Sequence, residues 1–370
     1  MSAPAEFDLI ARIRERTACS AVSPGNAVPP RRDDVQMGIG DDAALLQPPP
    51  GMQLVMSVDT LVRGVHYPVD TAPADIGWKA LAVNLSDLAA MGAEPLWALL
   101  ALTLPAPNAA WLDAFLDGWC ALAQASGIVL VGGDTTSGPE AISVTVVGQV
   151  PSGAALQRSG AVAGDRIWVS GTLGDAALAL QQRLPGRPAF GTAGGALQRG
   201  AEDGSAAADP VLDAQGPDAQ TLAGGIPLGA LWLQSRLQRP TPRLTLGRQL
   251  RGLATACIDV SDGLLADLGH LLASSGGVGA EVALDALPTS DALVHLDAQQ
   301  RWPLQLAGGD DYELCFTAPV SRDNAVRAVA DGCALRVTPV GRVVVGSGAR
   351  VLHPDGREYD PPRRGYQHFA

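Results

Sequence analysis

Residues 78–104 read WKALAVNLSDLAAMGAEPLWALLALTL. The first half carries apolar side chains at helical spacing and stops at Gly92, a residue that closes helices because it tolerates a left-handed backbone. The second half, Leu96 to Leu104, is an apolar run of nine residues between Pro95 and Pro105. That is far short of the roughly 20 residues needed to cross a bilayer, and it suits a buried strand. A helix leading directly into a buried strand is a building unit of α/β domains.

Working outward, Gln53 to Val58 reads as a strand. The helix itself reads as Pro73 to Met91, with Thr71, Pro73 and Asp75 suited to its start. Ala109 to Ser126 follows as a helix with Gly127 behind it, then Ile128 to Val131 and Ile142 to Val150 as strands. Near Pro151 to Asp165 the pattern restarts. Arg166 to Val169 reads as a strand, Gly174 to Gln182 as a helix, Arg243 to Leu253 as a helix, Thr255 to Val260 as a strand and Gly263 to Ser274 as a helix. An amphipathic stretch, Glu6 to Arg16, precedes a Pro/Gly-rich loop. We therefore expect two domains, 1–150 and 151–370, in line with 370 residues at about 150 per domain. Residues 184–227, dominated by Gly, Ala, Pro, Asp and Gln, read as a flexible insertion in the second domain.

Composition narrows the function. With 47% apolar and 17% charged residues the chain can bury more than one core. A net charge of −12 argues against a general nucleic-acid or anionic-membrane binder, because both need a basic face, and leaves small molecules or cations as partners. The acids are 30 Asp against 8 Glu, and Asp is the residue of turns and of hard-cation sites. Lys79 is the only lysine and lies outside any glycine-spaced Walker A loop, so phosphate chemistry here must rest on Arg, backbone amides or metal ions. The five cysteines, Cys19, Cys120, Cys257, Cys315 and Cys333, form no Cys-x-x-Cys pair and read as small core residues. Glu6 and Asp8 precede any apolar stretch, which points away from a secretory signal and to the cytoplasm.

Five Gly/Asp punctuations stand at the ends of apolar runs: Gly40-Asp41-Asp42, Ser57-Val58-Asp59-Thr60, Gly132-Gly133-Asp134-Thr135-Thr136, Asp259-Val260-Ser261-Asp262-Gly263 and Gly308-Gly309-Asp310-Asp311. Read singly, each is a turn, and Ser261 or Asp262 is a helix cap. Asp87 differs, because it sits mid-helix where Asp has poor propensity, on one face with Asn84 and Met91. Together such loops are what a site with several Mg²⁺ ions and oxygen ligands requires. Two carboxylates about 4 Å apart repel by about 4 kcal/mol at an effective dielectric of 20, so a converging set needs cations between its members.

The strings GIGDDAALL (38–46), SVDTLVRGVHY (57–67), WKALAVNLSDLAAMGAEP (78–95), LVGGDTTSGP (130–139), LQRSGAVAGD (156–165), IDVSDGLLADLGHL (258–271), GGDDYELCF (308–316) and GYQHF (365–369) closely resemble the thiamine-monophosphate kinase family, within the aminoimidazole ribonucleotide synthetase superfamily. Only 184–227 lies outside the likeness. The resemblance implies a two-domain α/β (α+β) fold. Its N-terminal domain forms a dimeric β-barrel-like core and binds ATP and Mg²⁺, and its C-terminal domain is α/β. It further implies a homodimer, ATP as co-substrate, several Mg²⁺ ions, and phosphorylation of thiamine monophosphate to thiamine diphosphate without a covalent enzyme intermediate or a single general base.

By the same resemblance, Asp42, Ser57, Val58 through its carbonyl, Asp59, Asp87, Asp134, Asp259 and Asp262 are metal ligands. Gly133, Asp134, Arg158 and Ser261 are nucleotide contacts, and His66, Asp310 and Tyr366 are substrate contacts. Two positions depart from the family pattern: Asp310 stands where Glu is expected, and Val58 where a hydroxyl residue often occurs. The competing readings are another ATP-dependent synthetase of the superfamily and a non-catalytic Mg²⁺-nucleotide binder. Within the first, a selenophosphate synthetase or a hydrogenase-maturation enzyme would want a reactive cysteine that neither Cys19 nor the C-terminal residues suitably provide, and loss of a central aspartate would have supported the second, but none is missing.

Overall fold

A computed structural model of the chain describes residues 6–18, 33–183 and 228–366. The expected insertion 184–227, Cys19 and the terminal Gln367 to Phe369 lie outside the described residues. The first unit is built on a four-stranded sheet in the order β3-β6-β4-β5, from β3 (Met52–Val62), β4 (Glu94–Leu104), β5 (Val129–Ser137) and β6 (Ala141–Pro151). β3 and β4 run antiparallel to the intervening β6, and β5 lies parallel to β4. A small ribbon, β1 (Val35–Met37) with β2 (Leu45–Leu46), and helix α1 (Glu6–Ala18) stand beside it.

One face of this sheet is covered by α2 (Pro73–Ala90) and α3 (Ala109–Ser126), with Leu81, Leu85, Leu88, Phe115 and Trp119 in the shared core. The two helices touch backbone to backbone: a Cβ on Gly118 would lie 1.8 Å from the Ala74 carbonyl oxygen, and one on Gly77 2.0 Å from that of Phe115. The other face exposes Leu54, Met56, Val58 and Leu99.

The second unit is a seven-stranded mixed sheet, β13-β12-β9-β11-β7-β10-β8. Its strands are β7 (Arg166–Ser170), β8 (Ala256–Val260), β9 (Gly279–Ala283), β10 (Glu313–Ala318), β11 (Val337–Val344), β12 (Gly348–Leu352) and β13 (Glu358–Tyr359). Its helices are α4 (Asp175–Arg183), α5 (Leu228–Gln238), α6 (Leu244–Leu250), α7 (Leu264–Ser274), α8 (Ala298–Ala307) and α9 (Asp323–Gly332). Only the β9–β12 pair is parallel, so this half is α+β in character.

The expected helices 73–91 and 109–126 match α2 and α3, with Gly92 and Gly127 left-handed behind them. Two of the acidic punctuations are corrected: Ser57–Thr60 lies inside β3, and Gly132–Thr136 inside β5. Gly133 passes so close to β4 that a Cβ there would sit 1.9 Å from the Leu100 carbonyl oxygen. Its glycine marks a close approach within a strand, not a turn. Nor does Thr71 cap α2: the cap position is Ala72, without a side-chain bond. Cys257 and Cys315 are buried as expected, and Cys120 and Cys333 are half-buried.

Candidate active site

Helix α2 lies between the two units and bonds to both. Alternation along β3 turns Ser57, Asp59 and Leu61 toward α2 and leaves Met56, Val58 and Thr60 on the exposed face. Asn84 and Asp87, one turn apart on α2, meet these inward residues. Asn84 Oδ1 accepts from the Asp59 backbone N–H at 2.9 Å, and the Ser57 hydroxyl donates to Asp87 Oδ2 at 2.5 Å. Ser86, between them, donates across to Asp259 Oδ2 at 2.8 Å, which ties α2 to the end of β8. Ser57, Asp59, Asp87 and Asp259 are thus brought together from both halves of the chain. The Val58 side chain points to the opposite face, so only its backbone can take part.

Electrostatics reports the same convergence. Burial, and then the charges of Asp87 and Asp262, raise Asp59 to about 6. Burial and then Asp87, with smaller additions from Asp267 and Asp59, raise Asp259 to about 8 against the opposing Ser86 hydrogen bond. Burial also raises Asp87, opposed by the Ser57 hydroxyl and the positive charge of Arg158. A set of carboxylates that resists joint ionisation fits a hard divalent cation, the ligand that removes the penalty. Among the described residues no three His, Cys, Asp or Glu are spaced to hold an ion on their own.

The loop 261–263 joins the second part of the site. The Asp267 carboxylate, on the first turn of α7, accepts the backbone N–H groups of Ser261, Asp262 and Gly263 at 3.0–3.1 Å. Capping therefore comes from within the helix, not from Ser261 or Asp262, and Gly263 is the cap position. Burial and the Asp262 charge raise Asp267 to about 7 against those three donors. The Asp310 N–H donates to the Ser261 carbonyl at 2.8 Å and the Tyr366 N–H to the Asp262 carbonyl at 3.0 Å, so two expected substrate contacts dock on the loop that carries an expected nucleotide contact, Ser261, and an expected metal ligand, Asp262.

His66 stands in the turn after β3, where its carbonyl accepts from Lys79 Nζ at 3.2 Å. Its Nδ1 accepts from the Val62 backbone N–H at 2.9 Å, which puts the proton of the neutral ring on Nε2 as a donor. Asp42, Gly133 and Asp134 are exposed. Asp134 stands on β5, at the opposite edge of the four-stranded sheet from Asp59 and about 14 Å away at three strand spacings. Reading the sequence missed Lys79, Ser86 and Asp267. Two signals were available: a lone lysine in an apolar helix, and an Asp one turn into α7.

Residues 40–150 match the N-terminal domain of AIR synthase related proteins and residues 162–353 match their C-terminal domain, so the chain is a two-domain member of that class. Within it, the chain belongs to the thiamine-monophosphate kinase family. The thiamine-monophosphate kinase of Salmonella typhimurium is 42% identical over 369 residues, covering 99% of this chain and 98% of that one. The crystal structure of thiamine-monophosphate kinase from Stenotrophomonas maltophilia K279a, 48% identical, superposes with a TM-score of 0.76 over 97% of this chain and 99% of that one. AaThiL complexed with AMPPCP and TMP, 29% identical, gives a TM-score of 0.67 over 98% of this chain and 97% of that one.

Proposed function

We propose that this chain transfers the γ-phosphoryl group of ATP to thiamine monophosphate, giving ADP and thiamine diphosphate. The observation that carries the reading is the meeting of half-buried Asp59 and Asp87 with buried Asp259, from both units, in one mutually repelling group, in a chain alike over nearly its full length to thiamine-monophosphate kinases. In the reaction an oxygen of the acceptor phosphate bonds to the γ-phosphorus as the bridging oxygen leaves with ADP, so positioning and charge compensation supply most of the catalysis.

Ser57, the Val58 carbonyl, Asp59, Asp87, Asp259 and Asp262 would hold Mg²⁺. Asp42 and Asp134 would join them only across a phosphate chain or a second copy of the protein. An ion held by these residues would supply positive charge to offset the facing phosphates. Arg158 suits a phosphate fork, and Gly133 and Ser261 offer backbone and hydroxyl contacts to the nucleotide. His66 Nε2–H suits the acceptor phosphate, Asp310 a ring amine, and Tyr366 the flat face of a thiamine ring. No free enzyme base is required, because the attacking phosphate oxygen is already anionic.

Two further readings belong with this one. The exposed row Leu54, Met56, Val58 and Leu99 supports a homodimer paired through the N-terminal sheets in a barrel-like core. Domains 1–150 and 151–370 and a cytoplasmic location complete the proposal. No helix among the described residues is long and apolar enough to cross a membrane.

Incubation of the purified protein with ATP, Mg²⁺ and thiamine monophosphate, with products separated chromatographically, tests the reading. Thiamine diphosphate and ADP in equal amounts are expected, and no thiamine diphosphate under any divalent-metal condition would overturn it.

A further inference from the structure

Lys79 is the only lysine in 370 residues, and its side chain is 2% exposed. A buried ammonium is retained only where it is paired and hydrogen-bonded. Here Nζ lies 3.0 Å from Asp310 Oδ2 and donates to the His66 carbonyl at 3.2 Å. The second oxygen, Asp310 Oδ1, accepts from the Tyr312 hydroxyl at 3.1 Å. Both carboxylate oxygens are thereby held by side chains. Asp310 and Tyr312 also adopt left-handed backbones, with φ of 69° and 49°. Such conformations cost free energy in a non-glycine residue and persist where surroundings enforce them.

The three groups come from three places: the loop after β3, helix α2, and the loop before β10. On α2, Lys79 is seven residues from Ser86, about 10 Å along the axis and on the same face. One stripe of the helix thus grips the second unit twice, through Lys79 to Asp310 and through Ser86 to Asp259.

We propose that Lys79 is the positioning residue of the acceptor side of the site. Its ammonium fixes the spacing between the His66 segment and the Asp310 carboxylate, and so the pose of thiamine monophosphate, while leaving the nucleotide and metal groups alone. The inference rests on the kinase reading above. Lys79 acts through Asp310 and the His66 backbone, not on a reacting atom. Loss of its charge frees the Asp310 side chain to swing on the Tyr312 hydrogen bond, while the backbone bonds of Asp310 to Ser261 and of Tyr312 to Val260 keep the turn in place.

The test is steady-state kinetics on K79M, D310N and the double variant, with wild type alongside. Met keeps the length of the lysine stem without its charge. For K79M, KM for thiamine monophosphate should rise about ten- to a hundredfold, the range spanned by one hydrogen bond to a charged group, while KM for ATP stays within about twofold. The double variant should be little worse than D310N alone, because the two changes remove one interaction. Additive losses, or equal losses toward ATP and acceptor, would overturn the proposal.

A second measurement needs no substitution. In a tag-free chain grown on 13C-lysine, Lys79 gives the single side-chain Cε resonance. It should move on titration with thiamine monophosphate and stay in place with a nonhydrolysable ATP analogue and Mg²⁺. A resonance indifferent to saturating thiamine monophosphate, in a wild type that makes thiamine diphosphate, sinks this inference alone. An inactive wild type sinks the kinase reading and this inference with it.

Discussion

Replacing Asp259 by Asn should stabilise the metal-free protein and abolish its turnover. Asp259 is buried at the end of β8, held by the Ser86 hydroxyl and faced by Asp87, and its carboxyl is pushed up to about 8 from an ordinary value near 4. A folded-state value above the unfolded one means that the carboxyl's contribution is intact below about pH 4 and is lost as pH rises toward 8. At 1.36 kcal/mol per unit, the gap at pH 7 corresponds to an upper limit of about 4 kcal/mol held against the fold. Asn removes the charge, keeps an acceptor for Ser86, and brings an amide donor among carboxylates.

Allowing for the burial of that amide, a net gain of about 1–3 kcal/mol is expected, or a melting temperature higher by about 3–8 °C at pH 8 in EDTA. At pH 5 the difference should shrink to within about 2 °C: the folded carboxyl is protonated while the unfolded one, with its value near 4, is mostly ionised, so the gap falls to about 1.4 kcal/mol, comparable with the cost of burying the amide. Adding Mg²⁺ and nucleotide should raise the wild type past the variant, because the cation removes the repulsion only where the charge exists. Calorimetric melts of both proteins at the two pH values, with and without Mg²⁺, check each step. A D259N protein that melts below wild type at pH 8 in EDTA, or a difference that does not grow with pH, would refute the reasoning.

Asp87→Asn should lower turnover by about 10²-fold or more, while the melting temperature without Mg²⁺ holds or rises; a variant with wild-type turnover removes Asp87 from the site. His66→Ala should raise KM for thiamine monophosphate about tenfold and leave KM for ATP nearly unchanged, as read by initial rates with each substrate varied in turn. Gly118→Ala forces a methyl into the Ala74 carbonyl and should destabilise the protein by about 1–3 kcal/mol in urea melts, with kcat per folded molecule retained.

The helical period of 73–91 and 109–126, the closing glycines and the apolar run 96–104 were enough to read α2, β4 and α3, because each element buries one continuous stripe or face. The acidic segments were harder. Gly and Asp signal turns in most chains, yet Ser57 and Asp59 occupy one face of an eleven-residue strand, and Gly133 is required by the Leu100 carbonyl of the neighbouring strand. Local propensity yields there to a tertiary demand: the carboxylates must leave a rigid strand facing α2.

Asp87 was legible as an acid misplaced in a helix, and the meeting with Asp259 was not, since nothing local links positions 172 residues apart in the chain. Lys79 and Asp267 were marked locally, as a lone lysine in an apolar helix and an Asp one turn into α7, but their partners were not. Their roles lie in what they bond across the molecule, Asp310 in one case and three loop amides in the other.

A crystal structure of the protein with Mg²⁺, a nonhydrolysable ATP analogue and thiamine monophosphate tests the account most directly. It should show divalent ions held by Asp59, Asp87 and Asp259 and bridging to the phosphates, with the acceptor phosphate near His66. Nucleotide and ions seated elsewhere, with these three carboxylates making no ion contact, would contradict it.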